Sequence, residues 1–174
     1  MKKRNFLLLF GAASLLMGCF GREDDKPVVT DSEEFFTVSV VTMEGTVNFD
    51  ATTDGVTDYI TARLRKGVDG DRIYIAGKNF DRFLDVDLEV GPFTGSGTFN
   101  TGDSEENPNY ARYGQGRSDR FWWVSDDHTQ QHVTTGVIVI NDTGEFLTGT
   151  VSFEGYRPLS HVQVEGRFKV RKDY

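Results

Sequence analysis

The sequence has a single cysteine, Cys19, so no disulfide can form within the chain. Histidine is nearly as scarce at 3, which limits both imidazole catalysis and His-rich metal sites. Basic residues fall short as well: 19 Lys plus Arg stand against 27 Asp plus Glu, a formal net charge of -8. An acidic surface repels phosphate, so nucleic acid is not an expected partner. Long apolar runs are missing too. The stretch from Phe6 to Leu16 is broken by Gly11 and Ser14, short of the roughly 20 residues that span a bilayer. With a mean hydropathy of -0.42, the chain fits neither a polytopic membrane protein nor a disordered one. What is plentiful is glycine, at 19, and phenylalanine, at 14, in 174 residues, enough for one domain with its own core.

The first segment reads as an address. Lys2, Lys3 and Arg4 precede the short apolar stretch, the layout of a secretory signal. Leu16-Met17-Gly18-Cys19 then resembles the lipobox of bacterial lipoproteins, with Met17 bulkier than the residue usual there. The resemblance implies that Cys19 is acylated and becomes the mature N-terminus, an anchor that holds stably because it carries more than one chain. Arg22-Glu23-Asp24-Asp25, just beyond it, resembles the surface-export signal of Bacteroidetes lipoproteins. The expected division is a signal peptide over 1–18, a lipidated and flexible acidic linker over 19–34, and a folded domain over 35–174.

From Phe35 onward the dominant period is two, the mark of half-buried strands. Phe36, Val38 and Val40 alternate with Thr37 and Ser39; Ile60, Ala62 and Leu64 with Thr61 and Arg63; Val86, Leu88 and Val90 with Asp85, Asp87 and Glu89. The run Val162, Val164, Gly166, Phe168, Val170 is the cleanest of them. Each predicts one face on a core and the other in water. Val137 to Ile140 is apolar on both phases and predicts a central strand. Asp69-Gly70-Asp71 and Asn141-Asp142-Thr143-Gly144 predict hairpin turns. Gly136, Gly149 and Gly166 inside strands predict bulges, bends or close backbone packing. Residues 100–118 read as a long irregular loop. The expected fold is all-β: one antiparallel sandwich or barrel-like domain of about nine or ten strands, with no helix in the mature chain.

The run Gly136–Ile140, then Leu147-Thr148-Gly149-Thr150-Val151-Ser152-Phe153, then Val162-Gln163-Val164-Glu165-Gly166-Arg167-Phe168, resembles the C-terminal half of small Bacteroidetes lipoproteins of unknown function. Gly95 to Phe99, followed by Tyr110 and Tyr113, fits the same layout, so the resemblance covers about residues 60–170. It implies an all-β domain on a lipid anchor and carries no catalytic residues.

Chemistry-bearing motifs are sparse. His128 and His132 are four apart but lie in a segment read as a loop, and HExxH is absent, so no metal site is expected. Asp50, Asp54 and Asp58, and likewise Asp103, Glu105 and Glu106, match no EF-hand spacing and read as turn chemistry and solubilising charge. No G-x-S-x-G elbow exists, and Ser160-His161 and Asp126-Asp127 form no defined catalytic set. No cofactor is expected. The aromatic group Tyr110, Tyr113, Trp122 and Trp123 is the candidate ligand platform. Adjacent Trp122 and Trp123 point to opposite faces of a strand, so one can pack while the other presents a flat ring to a sugar.

These features lead to the expectation of a lipoprotein held at the outer membrane, on the cell surface or alternatively the periplasmic face. Its role would be non-enzymatic, binding or structural, with a glycan or protein as partner besides the membrane. The alternative is a calycin-like carrier whose barrel encloses a small hydrophobic ligand. Whether the phenylalanines fill the interior or surround a cavity separates the two.

Overall fold

The two-residue alternation becomes strands throughout the computed structural model, which describes residues 34–53, 58–102, 109–117, 121–125 and 134–174. The lipobox with Cys19, the linker to 33, and His128, His132, Asp54, Asp103, Glu105, Glu106, Asp126 and Asp127 lie outside the described residues. Eleven strands follow one another: β1 (Phe35–Thr42), β2 (Gly45–Thr52), β3 (Asp58–Arg65), β4 (Arg72–Asn79), β5 (Leu84–Val90), β6 (Gly97–Gly102), β7 (Tyr110–Gln115), β8 (Phe121–Val124), β9 (Thr134–Asp142), β10 (Phe146–Arg157) and β11 (Ser160–Arg171). No helix interrupts them among the described residues, so the all-β expectation holds.

The strands form one antiparallel sheet in the order β2-β1-β11-β10-β8-β7-β5-β4-β3. It forks at β10: residues Leu147 to Phe153 pair with β9, whereas Tyr156 pairs with Val124 of β8. Strand β6 lies on the far side of β9. The sheet curls until its end strands β2 and β3 approach, giving a nearly closed barrel.

Side chains, rather than a full backbone ladder, close that seam. Thr52 N–H donates to Asp58 Oδ2 at 3.2 Å, and Asn79 Nδ2 and Arg82 donate to the β2 carbonyls of Asp50 and Asn48. Beyond β11, Asp173 N–H reaches Ala62 O of β3 at 3.2 Å. Edge groups that would otherwise invite another strand are thereby satisfied. Asp58, one of the considered oxygen ligands, is committed to this seam.

Inward positions carry the core. Phe36, Val38 and Val40 of β1 face Val162, Val164 and Phe168 of β11, and Ile73, Ile75, Val86 and Leu88 close the opposite wall. Large rings fit because glycines face them. A Cβ on Gly77 would stand 2.6 Å from the Phe36 ring, and one on Gly149 would stand 2.7 Å from the tip of Phe168. Phe36 and Phe168 themselves pack with ring centroids 5.6 Å apart. The interior is thus filled by rings seated on bare backbone.

Several expectations change in detail. Among the described residues the count is eleven, because the predicted loop over 100–118 contains the end of β6 and the whole of β7, where Ala111 and Tyr113 turn inward. Gly149 lies within uninterrupted β9–β10 register and serves close packing, whereas Gly136 adjoins a bulge, since Thr101 pairs with Gly136 and Gly102 with Thr134, leaving Thr135 as the extra residue on β9. Strand β9 is paired on both edges, yet Val137 and Val139 on its outer phase stay partly exposed. Both predicted hairpin turns form, with Gly70 and Gly144 at positive φ.

Gly77→Ala is expected to destabilise the domain by about 1–3 kcal/mol by overpacking the Phe36 ring, and Phe36→Ala by about 3–5 kcal/mol through the cavity left behind. Urea unfolding followed by tryptophan fluorescence measures both.

Candidate functional site

Strand β5 departs from the half-wet pattern. Its inward residues Leu84, Val86, Leu88 and Val90 are buried as expected, but Asp85 and Asp87 are 0% exposed and Glu89 only 9%. Three carboxylates two apart stand in a row about 7 Å from one to the next on the outer face of the sheet. Bare acids cannot be buried there unless neighbours compensate them. The neighbours come from the flanking strands by cross-strand register: Lys78 and Gly114 beside Asp85, Ala76 and Arg112 beside Asp87, Tyr74 and Tyr110 beside Glu89.

Asp87 is the centre. Arg112 donates from Nε at 2.9 Å and Nη2 at 2.6 Å to its Oδ2, while Tyr74 Oη donates to Oδ1 at 2.8 Å. Lys78 Nζ stands 3.5 Å from the same Oδ1. Glu89 accepts from Arg72 Nε at 2.7 Å, Arg65 Nη1 at 2.9 Å and Tyr110 Oη at 3.3 Å. Lys78 also lies 3.9 Å from Asp85. The Asp85 carboxylate occupies space that only glycine leaves open, since a Cβ on Gly114 would meet its Oδ1 at 1.9 Å and the Trp122 ring at 2.7 Å.

Above the carboxylates lie stacked rings and cations. The Arg112 guanidinium sits 4.1 Å from the Trp122 ring and 5.9 Å from that of Tyr110, and Arg65 lies 4.5 Å over Tyr74. Burial, reinforced by Asp87, pushes the Tyr74 phenol well above its ordinary range, and burial with Glu89 raises that of Tyr110. Both hydroxyls therefore remain protonated donors at neutral pH. The outcome is an outward array: Trp122 partly exposed, Arg112 about one-third exposed at 34%, Arg65 at 55%, with the two cations held from below.

The four aromatic residues singled out in the sequence do not share one surface. Trp122 and Tyr110 belong to the outer array. Trp123 and Tyr113 point inward, where their rings stack at 5.5 Å, and Tyr113 is completely buried. Burial pushes the Tyr113 phenol up to about 12. His161 is exposed opposite Tyr156 on β10. The carboxylate row and Arg112 were missed because the acidic phase of β5 reads as a wet face; Lys78 and Arg112, the two cations at matching register, were the available signal. Among the described residues no group of three His, Cys, Asp or Glu is placed to hold a metal ion. Against this geometry, the chain matches no family model, no curated protein and no solved structure.

Asp87→Asn removes the counter-charge of Arg112. A loss of about 2–4 kcal/mol is expected, tempered by the partial exposure of Arg112, and denaturant titration reads it. A second expectation concerns alkali. Tyr113 has its folded pKa raised from 10.0 to about 12, so the folded state binds its proton more tightly. That stabilisation is complete below pH 10.0 and fades as pH rises through about 12. Tyr113→Phe should flatten the alkaline loss measured by denaturation at stepped pH, while changing neutral stability by less than about 1 kcal/mol, since its hydroxyl makes one long hydrogen bond.

Proposed function

We propose that this protein is a lipid-anchored envelope lipoprotein whose barrel recognises a glycan or a protein without catalysing a reaction. The observation that carries the proposal is the outer array of Trp122, Tyr110 and Arg112 fixed over the buried Asp87 and Glu89. A partly exposed indole, phenols and partly exposed guanidinium N–H groups match the mixed apolar and acceptor character of a sugar or a polar peptide. Pre-organisation lowers the entropy lost on binding, because the side chains are already held. The carboxylates are occupied in holding cations and phenols, which suits recognition better than proton transfer.

The filled interior favours surface recognition over enclosure of a ligand inside the barrel. Phe36 and Phe168 sit where a carrier would keep a cavity. The anchor belongs to the same proposal: the lipobox-like Leu16-Met17-Gly18-Cys19 attaches the domain to the outer membrane through the residues that lead into β1.

Two expected outcomes test it. Cys19→Ser should move the protein from the membrane fraction to the soluble one on cell fractionation, and unchanged partitioning would remove the anchor. On a panel of glycans and envelope proteins, Trp122→Ala should weaken whichever ligand the wild type retains by about tenfold, the loss of one stacked aromatic contact of about 1.4 kcal/mol. Retention undiminished by that substitution would rule out the array as the binding surface.

A further inference from the structure

The inward phase of the sheet ends at one mouth of the barrel, and there it stops being a core. Thr42 of β1, Val47 of β2, Gln115 of β7, Phe121 and Trp123 of β8, Arg157 of β10 and Val162 of β11 surround a hollow of about 650 Å³. Barrel mouths of this size are common ligand sites. The floor is apolar: Trp123 and Val162 are 8% and 2% exposed. The rim is apolar too, with Met43 at 87% and Phe121 at 52% exposed.

Into this setting β10 sends a charge. Arg157 follows Val151, Phe153 and Gly155 on the inward phase, opposite Ser160. Its guanidinium lies 4.5 Å from the Phe121 ring and 4.6 Å from that of Trp123, a cation held between two aromatic faces. Among the described residues no carboxylate approaches it within salt-bridge distance, in contrast to the paired Arg65, Arg72 and Arg112. Glu44 on the rim lies on the exposed β1–β2 turn. The other polar groups also present donors. Gln115 spends its Oε1 on Tyr113 Oη at 3.4 Å, leaving its amide N–H groups, and Ser160 Oγ accepts from Trp123 Nε1 at 3.2 Å, leaving its O–H.

We propose that this mouth binds a small carboxylate carried on an apolar or aromatic body, the carboxylate on Arg157 with Gln115 and Ser160, the body against Trp123, Phe121 and Met43. The charge complementarity selects an anion, and the floor of rings and valines selects an apolar body. The site is separate from the outer array and does not depend on it. It also lies at the far end of the barrel from Phe35, the first residue of β1, about 23 Å along that strand.

The test uses the full lipidated chain in phosphatidylcholine vesicles, with isothermal titration of phenylacetate, phenylacetamide and galacturonate. Phenylacetate is expected to bind and to alter tryptophan fluorescence, with phenylacetamide and galacturonate at least about tenfold weaker. Arg157→Gln should weaken phenylacetate by about 10–100-fold, as expected for losing charge-assisted hydrogen bonds. Arg167→Gln, an exposed outer-face change on β11, should leave it unaffected, and a thermal melt of each variant reports folding. Absence of phenylacetate binding, equal binding of the amide, a folded Arg157→Gln variant that binds normally, or tighter binding of galacturonate would each overturn the proposal.

Discussion

A sheet that curls until its edges meet encloses a narrow space, and everything else here depends on filling it. Phe36 and Phe168 are too large for that space unless the wall around them gives way. It does so at Gly77 and Gly149, where a single added carbon would collide with a ring or with the neighbouring strand. Close packing of this kind gains dispersion contacts and leaves little empty volume. It also dictates that a ligand be met at the outside or at an end, not in the middle. The seam between β2 and β3 follows from the same closure. Its backbone groups are met by Asp58, Asn79 and Arg82 side chains and by Asp173, so the barrel shuts without a continuous final ladder.

Filling the inside has a counterpart on the outside of β5. A central strand flanked on both sides by long side chains is covered on both faces, so its outward acids are desolvated despite pointing away from the core. Removing such charges from water is costly, and only close, hydrogen-bonded partners compensate. Arg112, Tyr74, Lys78, Arg72 and Arg65 provide them, and Trp122 and Tyr110 shield the result. The opposite stretch of the sheet looks different: the short polar Thr37, Ser39, Asn48, Thr150 and Ser152 stand among the exposed Asp50, Glu165 and Arg167 on an open surface. The cations and rings fixed from below by buried carboxylates lie on the β3–β4–β5–β7–β8 side.

Much of this was legible in the residues. Period-two alternation located β1, β3, β5 and β11, and Asn, Asp and Gly marked the turns before β4 and β10. Burial of the outward phase was not legible, because alternation shows only that two faces differ, not that a polar face is covered by its neighbours. Asp87 looks solvated until the register sets Arg112 beside it. Strand β7 was hidden for a related reason: its inward phase contains only Ala111 and Tyr113 before the polar Gln115, too little apolar signal to stand out from the polar residues around it. The opposite facing of Trp122 and Trp123 was readable from the strand period alone; which of the two faced inward required the pairing of Trp123 with the buried Tyr113.

Position along a strand decides what an inward residue does. On β10, Val151 and Phe153 lie deep enough for neighbouring strands to enclose them, and so must be apolar. Two steps past Phe153, Gly155 lets the Trp123 side chain approach, and two steps further the same phase reaches the open end. A charge becomes tolerable there because water reaches it, yet the rings of Phe121 and Trp123 still limit how well water solvates it. A guanidinium so placed interacts more strongly with an incoming anion than an exposed one would, since the local dielectric is lower and its geometry is already fixed. The same alternation that builds the core therefore delivers, at its last inward position, a cation prepared for a ligand.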